Sequence, residues 1–329
     1  MPTRQQTLLT AALLLTPTLS VAQGLTINYY GSARIHAEAV QPDNTEALES
    51  YTGLRDAYSR LGFNAEYPLG HDITAFGQLE LPLDLANLAV QDPWDQEQDV
   101  RVAHIGLRGG FGTLAYGQMW MPYYNAIAYP VDMFSSYYSG FATYTTFRQG
   151  DSISYYSPDM GGFNVALGWS ERNGQDGDDR WQVTASYRVA DTVVAVGLDD
   201  LQGETDSRIY GASLAQTWGD LYLGAKYEWH DSTIAQGYGA DGDRAMNLYA
   251  GYTLGNTTVK LMLANVENYG EDIVHLGLDH QLTPALLLFA EYYYEEHTAA
   301  LTEKRGGAKE TAWAAEGGEV FAAGVRYDF

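Results

Sequence analysis

GEVFAAGVRYDF (residues 318–329) is the stretch whose reading decides the fold. Phe321, Ala323, Val325, Tyr327 and Phe329 fall on one face; Val320, Ala322, Gly324, Arg326 and Asp328 fall on the other. That period of two describes a strand with one greasy face and one small or polar face. A soluble domain usually frays into polar residues at its end, whereas this strand runs to an aromatic. A strand of this kind needs a neighbour on both sides. A closed barrel supplies them by pairing the last strand with the first, with Phe329 at the seam.

The opposite end, MPTRQQTLLTAALLLTPTLSVAQG (1–24), has one early cation, Arg4, and then an apolar run from Leu8 to Leu15. Ser20 and Ala22 are small where a signal peptidase requires it. Residues 1–22 are therefore expected to be an export signal and 23–329 a single barrel domain. A short buried helix fits Pro17 and the small-residue tail less well. The chain carries 18 Lys+Arg against 42 Asp+Glu, a net charge of −24. Such acidity argues against nucleic acid as a partner. Without cysteine there is no disulfide scaffold. Nothing after the signal approaches the roughly 18 consecutive apolar residues of a membrane helix. With 26 Tyr, 35 Gly and a mean hydropathy of −0.26, the composition suits a transmembrane β-barrel, whose strands alternate and never look greasy as a whole.

The punctuation between strand-like segments supports this. Tight turns are expected at 68–70, 109–110, 159–161, 190–191, 219–220, 255–256 and 283–284, each with Gly, Asn, Asp or Pro. Longer connections alternate with them: an acidic stretch after 25–37 that runs to about Leu54, then 84–98, 121–150, 172–180, 201–207, 231–243, 267–271 and 296–318. The count is about sixteen antiparallel strands, an even number that leaves both termini on one side. Leu221, Leu223, Ala225, Tyr227 and Trp229 alternate with Tyr222, Gly224, Lys226, Glu228 and His230; Trp181 to Val189 behaves likewise. Apolar outward and polar inward means a barrel around a polar lumen. A soluble β-sandwich would bury the apolar face instead, but has no reason to alternate turn lengths throughout. The pattern is poorest in 99–108, where Val100 and Val102 share a face with His104 and Arg108.

Four stretches carry a family likeness: YSRLGFNAEYPLGHDITAFGQLE (58–80), RVAHIGLRGGFGTLAYGQ (101–118), RQGDSISYYSPDMGGFNVALGW (148–169) and AAGVRYDF (322–329). With the sixteen-strand rhythm, the chain resembles the general diffusion porins of Gram-negative outer membranes along its whole mature length. The resemblance implies an integral outer-membrane barrel, usually a homotrimer, with its third long loop (about 121–150) folded into the lumen and its terminal Phe329 serving also as an assembly signal. It implies a water-filled channel for passive diffusion of ions and small hydrophilic solutes. Loop acids face wall arginines there, a fixed transverse field across a constriction. By position, Arg60 and Arg101 are the expected wall arginines, Asp132 the loop carboxylate and Arg148 a further cation at the loop's mouth. Two departures weaken the expected field. Phe134, Ser135 and Ser136 stand where the family often has a second acid and glycines, and Gln118 where an arginine often follows.

The loop is instead rich in aromatics, among them Tyr129, Phe134, Tyr137 and Tyr138. They raise the alternative of a substrate-specific channel with a stacking surface for sugars or aromatic acids. The preferred reading is that these rings pack the loop against the wall. The overall acidity concentrates cations near the mouth and predicts mild cation selectivity. Acid-dense loops, including Glu171, Asp176, Asp178, Asp179, Asp199, Asp200, Glu204 and Asp206, are expected as solvated surface, as divalent bridges to lipopolysaccharide or as an adaptation to high salt. The connection 84–98, with Pro93 and Trp94, is read either as a latch onto a neighbouring copy or as an exposed loop. An enzyme is not expected: the seven histidines are scattered singly, and no nucleophile elbow is present. His275 and His280, five apart, lie on opposite strand faces, so no metal site or cofactor is implied.

Overall fold

The computed structural model describes residues 24–94, 98–171, 179–203, 206–297, 299–302 and 316–329. The export signal (1–22) lies outside these residues, as do Asp176, Asp178 and Glu204. Strands β1 (Thr26–Pro42), β2 (Tyr51–Asp56), β3 (Ser59–Gly70), β4 (Ile73–Leu83), β5 (Val102–Gly109) and β6 (Gly112–Trp120) make the first third. β7 (Arg148–Tyr156), β8 (Phe163–Ser170), β9 (Arg180–Val189), β10 (Thr192–Leu201), β11 (Ser207–Trp218) and β12 (Leu221–Ser232) follow. β13 (Arg244–Leu254), β14 (Thr257–Val266), β15 (Glu271–Thr283), β16 (Leu286–Glu295) and β17 (Gly318–Asp328) complete the ring.

β2 and β3 are two halves of one barrel strand. Both pair with β1, and the break falls at Ala57-Tyr58, where Tyr58 has φ +65°. The Asp56 carboxylate holds the break by accepting from the Ser59 N–H (2.7 Å) and the Leu85 N–H (3.0 Å). Counted this way, the described residues form a closed antiparallel barrel of sixteen strands, as expected. β17 pairs with β1 from Ser32↔Asp328 to Pro42↔Gly318, which closes the sheet.

Gly31 and Phe329 finish the seam. The Gly31 N–H donates to the Phe329 carbonyl at 2.8 Å, and the Phe329 N–H returns to the Gly31 carbonyl at 3.1 Å. The Phe329 ring covers Gly31 so closely that a Cβ there would sit 2.3 Å from it. Gly31→Val is expected to lift the ring off the seam and cost about 1–3 kcal/mol by overpacking. Urea unfolding would show a lowered midpoint, and adding Phe329→Ala would restore part of it. An unchanged midpoint in the single variant would contradict this packing.

Alternation holds around the ring: Trp181, Val183, Tyr187, Tyr227, Trp229, Phe321 and Tyr327 are exposed outward, while Gln182, Lys226, Glu228 and His230 are buried inward. Even the poorly patterned segment obeys it, as Ile105 and Leu107 of β5 face out and Val102 faces in. Two boundaries differ from expectation. β1 continues to Pro42 because its Val40 pairs with both Tyr51 and Val320. The third long loop ends at Phe147, because Trp120↔Arg148 and Met119↔Gln149 extend the β6–β7 ladder past a bulge.

Candidate pore constriction

Loop 121–147 turns inward directly after β6. It opens with one π-helical turn (Tyr124–Ala128) and one 3-10 turn (Tyr129–Val131), neither legible from the aromatic-rich sequence. These turns lie against β9 to β13. Wall glycines make room for them. A Cβ at Gly224 would come within 2.5 Å of the Pro130 carbonyl, and one at Gly211 within 2.1 Å of the Tyr123 hydroxyl. Gly168, Gly197 and Gly277 likewise face Met121 with Pro122, Ile127 with Tyr123, and Phe134. The five lie on β8, β10, β11, β12 and β15, and each leaves room for one point along the loop's path over the inner wall.

Hydrogen bonds then pin the loop along its length. Ser213 donates to the Ala126 carbonyl (2.7 Å) and Tyr222 to that of Pro130 (2.9 Å). Lys260 donates to the Met133 carbonyl (3.0 Å), and Lys226 and Asn247 both donate to that of Ala142 (2.9 Å each). Glu228 accepts from Thr143 at 3.0 Å and Asp199 from Thr145 at 2.9 Å. The Phe134-Ser135-Ser136 departure now has a physical account. Ser135 and Ser136 turn their backbone N–H groups onto Glu291 (2.7 and 3.1 Å), and Phe134 stacks on His275 with ring centroids 3.5 Å apart. His275 also contacts Glu291 at 3.0 Å. Nothing in the loop's sequence flags that wall carboxylate; its inward position on β16 is the signal that was available.

On the other arc of the ring, the expected arginines converge. Arg60 (β3), Arg101 (just before β5) and Arg148 (first residue of β7) line one cavity of about 880 Å³. Arg34 of β1 and Arg326 of β17 join them, both missed in the sequence although each occupies an inward position beside the seam. Acids are threaded through this cluster. Glu80 lies 2.8 Å from Arg101 and 3.6 Å from Arg60, while Asp92 lies 3.2 Å from both Arg101 and Arg148. Asp328 holds Arg326 at 2.7 Å, and the Arg34 Nε donates to Ser32 at 2.7 Å. The Arg101 and Arg148 guanidiniums lie over the Trp120 ring, 5.5 and 4.9 Å from its centroid. Gln118 donates to the Val100 carbonyl at 2.5 Å, so it steadies the backbone that presents Arg101.

Asp132 ends the 3-10 turn and lines the same cavity from the loop side. It accepts from the Tyr124 hydroxyl (2.7 Å) and from Ser139. Burial, then the charge of Asp132, pushes the Tyr124 phenol well above its usual range, so it remains a donor. Of the four singled-out aromatics, Tyr129 is 54% exposed toward the cavity, and Phe134 reaches the lining with its edge. Tyr137 and Tyr138 are packed behind that surface at 0% and 1%. Tyr137 stacks on Tyr58 and Tyr138 on Tyr293, with centroids 5.7 and 5.2 Å apart, so these two rings have no face left for a solute.

The connection after β4 also folds inward. The Trp94 ring packs on Phe141 of the infolded loop (5.0 Å), and buried Asp92 is drawn to the arginines. Trp94 is thus engaged within its own chain rather than held out as a latch. Among the described residues no cluster of His, Asp and Glu has the makings of a metal site.

A family model described as Gram-negative porin matches residues 9–300. The chain is similar to the major outer membrane protein P.IB of Neisseria meningitidis serogroup B, 22% identical, with 94% of this chain and 96% of that protein covered. Among solved structures, an anion-selective porin from Comamonas acidovorans superposes with a TM-score of 0.73 at 19% identity, covering 93% of this chain and all of that one. The trimer form of OmpT, an outer membrane protein of Vibrio cholerae, superposes with a TM-score of 0.67 at 16% identity, covering 93% and 100%. At such identities the structural likeness carries the fold alone.

Proposed function

We propose, for a chain that belongs to the Gram-negative porin family, that it is an integral outer-membrane protein forming a water-filled channel for passive diffusion of ions and small hydrophilic solutes. The cavity between the infolded loop and the arginine wall, inside a barrel with an apolar exterior, carries this reading. In this reading residues 1–22 are the export signal, residues 23–329 one barrel domain, and three copies assemble. Arg60, Arg101 and Arg148, joined by Arg34 and Arg326, set one side of a transverse field, and Asp132 sets the other. Packing of Tyr137 and Tyr138 favours general diffusion over a stacking site. Catalysis and cofactors form no part of the proposal.

Selectivity follows from where the charges lie. Around the constriction the five arginines are matched by Glu80, Asp92, Asp132, Asp279 and Asp328, of which Asp279 is also held by Lys260 at 2.8 Å. The chain as a whole carries −24, so the excess negative charge lies outside the constriction. That excess attracts cations over a Debye length of about 10 Å at 0.1 M salt and about 3 Å at 1 M. Mild cation preference at low salt, fading as salt rises, is the expected result in a planar bilayer. Arg148→Ala should raise the cation-to-anion permeability ratio, by at most about thirtyfold: one unit charge about 4 Å from the ion path in water is worth about 1 kcal/mol, with opposite sign for cation and anion, and salt screening reduces it. Reversal potentials in KCl gradients test both statements. An anion-preferring sign at 0.1 M would refute the selectivity, and absence of any conductance would refute the channel.

A further inference from the structure

A third connection enters the barrel, after loop 121–147 and the one that follows β4. Ala299, Ala300, Leu301 and Thr302, which follow β16, are at most 1% exposed. Glu295 holds them, its carboxylate accepting from the Ala300 N–H (2.7 Å) and the Leu301 N–H (2.8 Å). Their other attachments are Tyr51 and Arg55 of β2, the Tyr51 hydroxyl lying 3.0 Å from the Thr302 carbonyl and 2.9 Å from Glu38. The two terminal nitrogens of Arg55 donate to the Thr302 hydroxyl (3.3 Å) and the Thr302 carbonyl (3.1 Å). The Arg55 Nε donates to Glu38 of β1 at 2.8 Å. That same Glu38 accepts the Tyr138 hydroxyl of loop 121–147 at 2.9 Å, and the Arg55 guanidinium lies 4.3 Å from the centre of the Tyr137 ring. Burial pushes the Tyr138 phenol well above its usual range, so it is protonated and donates. Neither Arg55 nor Glu38 lines the cavity.

We propose that the buried Glu38–Arg55 pair is a positioning clasp shared by two of the infolded segments, so that the seating of 299–302 and the tip of loop 121–147 rise and fall together. The loop's other wall anchors sit on β7 to β16, among them Tyr156, Gln182, Asp199, Ser213, Lys226, Glu228, Lys260 and Glu291. On the β1–β2 side, Tyr137 and Tyr138 depend on this pair and on their ring contacts. A charge pair without water cannot lose one partner cheaply, because the other is left buried; without Arg55, Glu38 would keep only His36, at 3.2 Å, and its hydroxyl donors. Its hydrogen bonds also strengthen one another, so loosening one arm loosens the rest. The position of loop 121–147, and with it the bore of the channel, thereby depends on 299–302 as well. This rests on the diffusion-channel reading only for its functional consequence.

The chain contains no cysteine, so Ala300→Cys places a single reporting thiol on segment 299–302. In that background Tyr138→Phe removes only the loop-side hydroxyl, and Arg55→Met removes the clasp. The readouts are the rate of labelling by a water-soluble methanethiosulfonate reagent and the single-channel conductance in a planar bilayer. Tyr138→Phe should speed labelling of Ala300→Cys about tenfold, the loss of one hydrogen bond to a buried carboxylate. Arg55→Met should speed it further, with a noisier open channel in both. Circular dichroism confirms the barrel; should Arg55→Met fail to fold, Tyr138→Phe still decides. Unchanged labelling in Tyr138→Phe overturns the clasp. Labelling that responds in a protein that passes no current would instead overturn the channel and leave the clasp standing.

Discussion

Lys226→Met is expected to destabilise the barrel by about 3–5 kcal/mol and to release the middle of loop 121–147. Lys226 and Glu228 are both fully buried, two residues apart on the inner face of β12, and bonded to one another. Lys226 also donates to the Ala142 carbonyl, while Glu228 accepts from Thr143 and from the Tyr144 N–H (3.4 Å). Methionine fills the same volume but leaves a carboxylate with only neutral donors around it, and that uncompensated charge dominates the loss. The companion Glu228→Gln should therefore rescue much of it, since the amide oxygen still accepts from Thr143. Urea unfolding of the single and double variants checks the sign of this coupling. A double variant no more stable than Lys226→Met alone would show that packing, not charge, was lost.

The barrel was legible because it is written in period two and in turn length, both local properties of the chain. Alternation at 181–189, 221–229 and 318–329 assigned the two faces residue by residue, and the tight turns fixed the order of the strands. Arg60, Arg101, Arg148 and Asp132 could be named by likeness to a family, and they do line one cavity. Arg34, Arg326, Glu38, Arg55 and Glu291 could not. Each is one polar residue among many at inward positions, and its partner lies up to 247 residues away, as in Arg55 and Thr302. Alternation says that a side chain points inward; which of the inward groups meet depends on tilt, stagger and the path of the infolded loop. The aromatic density of that loop was ambiguous for the same reason. A ring exposed to a solute and a ring packed on the wall are the same letter, and only Tyr129 of the four is largely open.

The wall glycines are where period-two reading says least, and where the second large effect is expected. An inward glycine in a strand normally weakens it, yet Gly197 and Gly211 pair side by side on β10 and β11, and Gly224 takes an inward position on β12, opposite Ala215 of β11. Their cost is offset by the closeness of the loop. A methyl at Gly197 would meet its nearest neighbours at 3.1 Å, a contact that a shift of a few tenths of an ångström relieves. At Gly224 the nearest atom is the Pro130 carbonyl at 2.5 Å, which is backbone and is also the acceptor for Tyr222. Gly224→Ala must therefore move the loop toward the lumen, by roughly 1 Å to regain van der Waals distance, and strain the Tyr222 bond. Displacement on that scale narrows the lumen from the loop side, so conductance should fall in the order wild type, Gly197→Ala, Gly224→Ala. Overpacking of about 1–3 kcal/mol should accompany the last. Single-channel recordings of the three proteins decide it. If Gly224→Ala conducts as the wild type does, the loop is not seated by the wall glycines, and its hydrogen bonds alone must hold the bore.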